Sequence, residues 1–139
     1  MNKNVFTITV EVRFRDLDAM GHVNNAVYFT YFEEGRKSLF QKISKSSDTS
    51  AFNFILAHVG CDYLKPVKLD SRLSLRMWVS EVGRKRFNLK YRLIDMTDES
   101  VIYATGESVQ VCFDYREHRS VEVSEALKAK LLEYQEADE

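Results

Sequence analysis

Two strictly alternating runs, joined by almost nothing, limit what this chain can become. From about Arg72 to Val82, Leu73, Leu75, Met77 and Val79 alternate with Arg72, Ser74, Arg76 and Trp78. From about Lys85 to Asp95, Phe87, Leu89, Tyr91 and Leu93 alternate with Arg86, Asn88, Lys90 and Arg92. A period of two sends successive side chains to opposite faces, so each run is a strand with one face available to a core. Only Val82-Gly83-Arg84 connects them. That is too short for a crossover, and the two strands are expected to be antiparallel neighbours.

Three further runs share this pattern. Residues 5–14 place Phe6, Ile8, Val10, Val12 and Phe14 on one face. From about Phe54 to Lys65, Ile55, Ala57, Val59, Cys61 and Tyr63 share a face, Gly60 hints at a bulge, and Pro66 helps end the run. From about Val101 to Tyr115, Val109, Val111, Phe113 and Tyr115 alternate with Ser108, Gln110, Cys112 and Asp114. The connection Met96 to Ser100 is again short.

One segment breaks the alternation. From about Ala26 to Ile43, Tyr28, Tyr31, Phe32, Gly35 and Leu39 recur at helical spacing, and Phe29, Phe40 and Ile43 widen the apolar surface. Such a helix is covered on most sides. Gly35 on its apolar face suggests close approach of another backbone, and Glu33 and Lys37 stand at the favourable i, i+4 spacing. Asn24 or Asn25 can cap its start. A polar, Ser-rich loop (44–52) follows, and a short helix capped by Ser124 ends the chain near Gln135. The expected architecture is α+β: a five-stranded antiparallel sheet with one long helix across it, in a single domain over residues 1–139. Edge strands and outer-face apolar groups such as Trp78 would need cover, and dimerisation is one way to supply it.

Composition excludes several function classes. A net charge of -1 argues against a nucleic-acid binder that relies on overall charge. No run of 18 apolar residues exists, so no membrane span is expected. The N-terminal residues lack the apolar core of a signal peptide, and Cys61 and Cys112 sit inside strand patterns, which suits buried thiols in a reducing cytoplasm. His22, His58 and His118 show no metal-ligand spacing, and no metal is expected. Serine elbows of the G-x-S-x-G kind and G-x-x-x-x-G-K phosphate loops are absent.

Chemistry is concentrated in Arg13–Arg36, RFRDLDAMGHVNNAVYFTYFEEGR. Asp16 and Asp18 can each cap or complement a helix, or act on a substrate. Gly21 permits a tight turn, and the helix start near Asn25 offers free N–H groups able to hold an oxyanion. A carboxylate beside such donors suffices for acyl transfer. His22 reads as a loop histidine with local hydrogen bonds. Val82 to Arg86, VGRKR, reads as a solvated hairpin tip or as an anion grip.

The pattern D-x-D-x-x-G-H-V-N-N followed by Y-x-x-Y-x-E-x-x-R is carried here by Asp16, Asp18, Gly21, His22, Val23, Asn24, Asn25, Tyr28, Tyr31, Glu33 and Arg36. It resembles the signature region of hotdog-fold acyl-CoA thioesterases of the 4-hydroxybenzoyl-CoA thioesterase-like group. The resemblance implies a hotdog fold, with the antiparallel sheet wrapped around the central helix. It implies Asp18 as the catalytic carboxylate, nucleophile or general base, and the Asn25 backbone N–H as oxyanion donor. Gly21, His22 and Tyr28 around that loop are the candidate substrate contacts, and the resemblance implies, more loosely, phosphate contacts from Arg84, Lys85 and Arg86. It implies a homodimer or homotetramer with sites at the subunit interface and no bound cofactor, coenzyme A being part of the substrate. An acyl-carrier-protein thioesterase, or a non-catalytic acyl-binding dimer, are the alternative readings.

Overall fold

The computed structural model describes residues 4–45 and 53–136, so most of the Ser-rich loop lies outside the described residues. The elements run β1 (Phe6–Val10), a 3-10 turn (Phe14–Asp16), α1 (Val27–Ser44), β2 (Phe54–Tyr63), β3 (Leu73–Val82), β4 (Arg86–Asp95), β5 (Ile102–Asp114), β6 (Arg119–Ser120) and α2 (Glu125–Leu131). The sheet is antiparallel in the order β1-β3-β4-β5-β2, with the short β6 on β5. The β3–β4 pairing expected from alternation is present, with Leu75 opposite Leu93 and Met77 opposite Tyr91. None of the described helices is long and apolar enough to cross a membrane.

The 18-residue α1 lies across the inner face of this sheet. Its buried Phe32 stacks on Tyr91, centroids 4.4 Å apart at 14°. Phe40 packs on Phe54 and Phe87 at 4.4 and 6.0 Å. Leu73, Leu75, Phe87, Leu89 and Leu93 are fully buried beneath it, and each such side chain contributes about 1.5–3 kcal/mol. A Cβ on Gly35 would meet Leu75 Cδ2 at 2.7 Å and Met77 Sδ at 2.8 Å. The close approach is therefore to side chains of β3, not to a backbone.

Several local expectations are corrected. β1 ends at Val10, and Phe14 turns outward in the 3-10 segment, 81% exposed, because the chain must bend towards α1. The bulge in β2 falls at Ala57, between Leu56 and His58, rather than at Gly60. Ala26 occupies the N-cap of α1, while the Asn24 Oδ1 accepts from the Ala26 N–H at 2.9 Å, one turn position earlier. Lys37 pairs with Glu34 at 3.0 Å rather than with Glu33. Trp78 is covered within the chain, with the Arg92 guanidinium 5.1 Å from its ring and Arg92 held in turn by Glu136 at 2.9 Å. Ser124 caps α2 as expected, its Oγ accepting from the Leu127 N–H at 3.1 Å.

The sharpest difference lies in β5. Ser108, Gln110 and Cys112 face the core, and Val109, Val111 and Phe113 are half-buried on the outer face. Alternation locates two faces but does not say which one the helix covers.

Candidate active site

The loop between β1 and α1 is built on two aspartates with different tasks. Asp16 is buried. Its Oδ2 accepts from the Arg13 N–H at 2.9 Å and from the Tyr31 hydroxyl at 2.9 Å. It therefore ties the 3-10 turn to α1, and burial together with Asp16 raises the Tyr31 hydroxyl well above the usual phenol range. Tyr31→Phe leaves that carboxylate short of a buried donor, and is expected to cost about 1.5–3 kcal/mol in urea unfolding.

Asp18 is exposed and shapes a tighter turn. Its Oδ1 accepts from the Met20 N–H at 2.9 Å and the His22 N–H at 3.1 Å. Its own N–H donates to His22 O at 2.7 Å, and its carbonyl accepts from the Gly21 N–H at 3.1 Å. Gly21 sits at φ +77, where a side chain would be strained although space is open. Among the described residues, no hydrogen bond engages Asp18 Oδ2. The turn anchors one carboxylate oxygen and leaves the other towards solvent.

Asp18, His22, Asn25 and Tyr28 line one cleft of about 250 Å3, closed by Tyr63, Leu64, Lys65 and Pro66 from the end of β2. The Tyr63 hydroxyl donates to Asn25 O at 2.8 Å, and its ring meets Tyr28 edge-on at 4.8 Å. The Asn25 N–H has no partner among the described residues, whereas the flanking Asn24 and Ala26 N–H groups are engaged by Asp16 O and Asn24 Oδ1. Burial raises the Tyr28 hydroxyl, opposed by the nearby Val67 amide, so it stays a neutral wall. Burial also pushes the neighbouring Cys61 thiol up to about 11, which removes it as a nucleophile near neutral pH. The site can thus offer a carboxylate oxygen, an open backbone donor and the Lys65 cation to one bound group.

The β2 contribution was not visible in the sequence beyond Pro66 ending a strand. Arg84, Lys85 and Arg86 are not brought to this cleft. They occupy the β3–β4 turn, at the end of β3 opposite Leu73, which pairs with Val10 beside the loop. Arg84 binds Glu122 at 2.7 Å, and Arg86 binds Glu81 at 2.8 Å and Asn88 at 2.9 Å. Among the described residues, no group of three or more His, Cys, Asp or Glu could hold a metal ion.

An antiparallel sheet around a single long helix, with an acid-bearing loop at the helix start, defines a hotdog domain. A family model described as the Thioesterase-like superfamily matches residues 12–131, and the chain belongs to this family. It is 32% identical to the protein YsmA of Bacillus subtilis (strain 168), over 88% of this chain and 82% of that one. It is 25% identical to the long-chain acyl-CoA thioesterase FadM of Escherichia coli (strain K12), over 88% and 93% respectively. A thioesterase of Thermus thermophilus, solved in complex with coenzyme A and Zn, superposes with a TM-score of 0.80 at 31% identity, covering 91% of this chain and 90% of that one.

Proposed function

We propose that this protein hydrolyses acyl-CoA thioesters to the free acid and coenzyme A. The observation that carries this reading is the meeting of the Asp18 carboxylate and the unengaged Asn25 N–H in one cleft. The family membership and the coenzyme A complex of the Thermus relative support the choice of thioester. Asp18 takes a proton from water as the oxygen attacks the thioester carbon. The carbonyl oxygen becomes an oxyanion facing the Asn25 N–H. Collapse breaks the C–S bond, and the departing thiolate regains the proton from Asp18. Gly21 and His22 shape the rim, and Tyr28 walls the acyl side. The step requires neither metal nor bound cofactor, since coenzyme A enters as part of the substrate.

A second copy of the chain completes the site in this reading. β2 is an edge strand, and Ile55 and Tyr63 on it are 39% and 42% exposed, an edge that favours pairing. Antiparallel pairing of two β2 strands sets the Phe54 end of one copy beside the Tyr63 end of the other. Ile55 and Arg86 both pair with Val111. The partner's Arg84, Lys85 and Arg86 then come to the same end of the joined sheet as the Asp18 cleft, where they grip the coenzyme A phosphates. The free thiols Cys61 and Cys112 suit the reducing cytoplasm as its location.

The test is a free-thiol assay across short, long and aromatic acyl-CoAs, with light scattering on the same sample. Thiol release by a dimer or larger assembly is expected. Acyl-CoA binding without thiol release would overturn the enzymatic reading, and an active monomer would overturn the shared site.

A further inference from the structure

The inverted β5 face leads to a second site. Polar Ser108 and Gln110 are buried inside the sheet, 0% and 2% exposed, where apolar side chains would pack at no polar cost. They belong to a chain of hydrogen bonds. Arg36 NH1 donates to the Tyr91 hydroxyl at 3.1 Å. The Tyr91 hydroxyl lies 2.5 Å from Ser108 Oγ, Ser108 donates to Gln110 Oε1, and Gln110 Nε2 donates to Phe87 O at 3.0 Å. Ser108 has one proton and gives it to Gln110, so Tyr91 must donate to Ser108. Every link then runs in one direction, away from the guanidinium. The whole network fixes Arg36 through a single nitrogen.

The rest of that guanidinium has no acceptor among the described residues. Glu33 lies one turn earlier on the same helix, yet no ion pair within 4.0 Å joins it to Arg36, which turns inward to Tyr91 instead. Arg36 and Gln110 meet in a groove of about 330 Å3 between α1 and the inner side of β2, walled by Phe40, Phe54 and Leu56. Phe54 and Leu56 stand opposite Cys112 and Gln110, so they face the helix. Pairing at the β2 edge would use the strand's backbone groups and leave these side chains in place. An apolar groove with a held cation at its floor is complementary to a hydrocarbon chain ending in an anionic oxygen pair.

We infer that Arg36, backed by Tyr91, Ser108 and Gln110, recognises a carboxylate carried on the acyl portion of the substrate, away from the thioester. The preferred substrates are therefore mono-CoA thioesters of dicarboxylic acids. This rests on the acyl-CoA reading above, with its β2-paired dimer, and narrows it: the groove lies at the Phe54 end of β2, which that pairing sets beside the Tyr63 end and the Asp18 cleft of the other copy. The exposed Glu33 on the rim opposes an anion only weakly, because water screens it more than the half-buried guanidinium.

The experiment compares thiol release from carboxyacyl-CoAs and unsubstituted acyl-CoAs of matched length, across several lengths, by wild type, Arg36→Gln and Arg36→Lys. Wild type is expected to favour the best carboxyacyl-CoA about tenfold or more in kcat/KM, the effect of one charge-assisted pair. Arg36→Gln should bring that ratio near one, and Arg36→Lys should restore part of it. No preference in wild type, or an equal loss on both substrates in Arg36→Gln, would overturn the proposal. Calorimetry with free dicarboxylic and monocarboxylic acids of matched length decides the same point without catalysis. If no thioester is cleaved but dicarboxylic acids bind through Arg36, the hydrolase reading fails and this site stands. Adenosine 3′,5′-bisphosphate serves as the other anion. If Arg36→Gln weakens its binding and leaves the dicarboxylate unaffected, the groove holds a coenzyme A phosphate and the inference falls.

Discussion

Asp18→Asn is expected to lower thioester turnover about a hundred- to ten-thousand-fold, the usual contribution of a positioned acid–base group, with the fold preserved. The two tasks of this side chain fall on different oxygens. Oδ1 accepts from Met20 and His22, and an asparagine carbonyl oxygen can keep both bonds. Oδ2 is the group without a partner among the described residues, and there the carboxamide presents NH2, which cannot take a proton from water. Loop shape and basicity therefore separate in this variant. The check is kcat on the best acyl-CoA beside circular dichroism and the thermal midpoint. A fall in kcat with an unchanged midpoint is expected. Undiminished turnover would remove Asp18 from the mechanism. In H2-18O, label appearing in the Asp18 carboxylate after a single turnover would show direct attack in place of base-assisted attack by water.

Gly106→Ala is expected to be among the most damaging single-methyl additions to the fold. A Cβ there would lie 2.5 and 2.6 Å from Phe32 Cε2 and Cζ and 3.0 Å from Gly60 O. Phe32 has little room to retreat, because it is fully buried and its ring is already stacked at 4.4 Å on Tyr91, the cross-strand partner of Gly106. Overpacking of this kind costs roughly 3 kcal/mol. The clash has a specific reliever: Phe32→Leu shortens the ring that the new methyl meets. In urea unfolding, the double variant should lose less stability than the sum of the two single losses, by about 0.5–3 kcal/mol of coupling. Strict additivity would mean that the Gly106 methyl is accommodated by shifting β2 at Gly60 instead.

Much of this protein was legible before any coordinates. Period two in residues 72–95 required an antiparallel pair, because pleating alternates side chains and a three-residue connection allows nothing else. Helical spacing from Tyr28 to Leu39 set α1 and named its buried face, since all five spaced positions are buried. The sequence carried the acidic loop and helix start as a candidate site, and it left Asp16 and Asp18 open until the family resemblance chose between them. The structure gives a physical ground for their difference: one carboxylate is buried against Tyr31 and the other stands in an exposed turn.

What alternation could not supply is the answer to which face meets which partner. Sheet order put β2 at the edge, although it follows α1 in the chain, and so brought Tyr63 and Pro66 to the Asp18 cleft. The same order put the Arg84–Arg86 turn at the far end. Local pattern also assigned two faces to β5 without saying which lies under the helix. Only the packing of α1 across the sheet made Ser108 and Gln110 interior and joined them to Arg36. Secondary structure and the acidic loop follow from neighbours in sequence, whose geometry the backbone fixes. Strand order, the covered face and the buried polar chain follow from contacts between distant residues, which exist only once the sheet has closed over its helix.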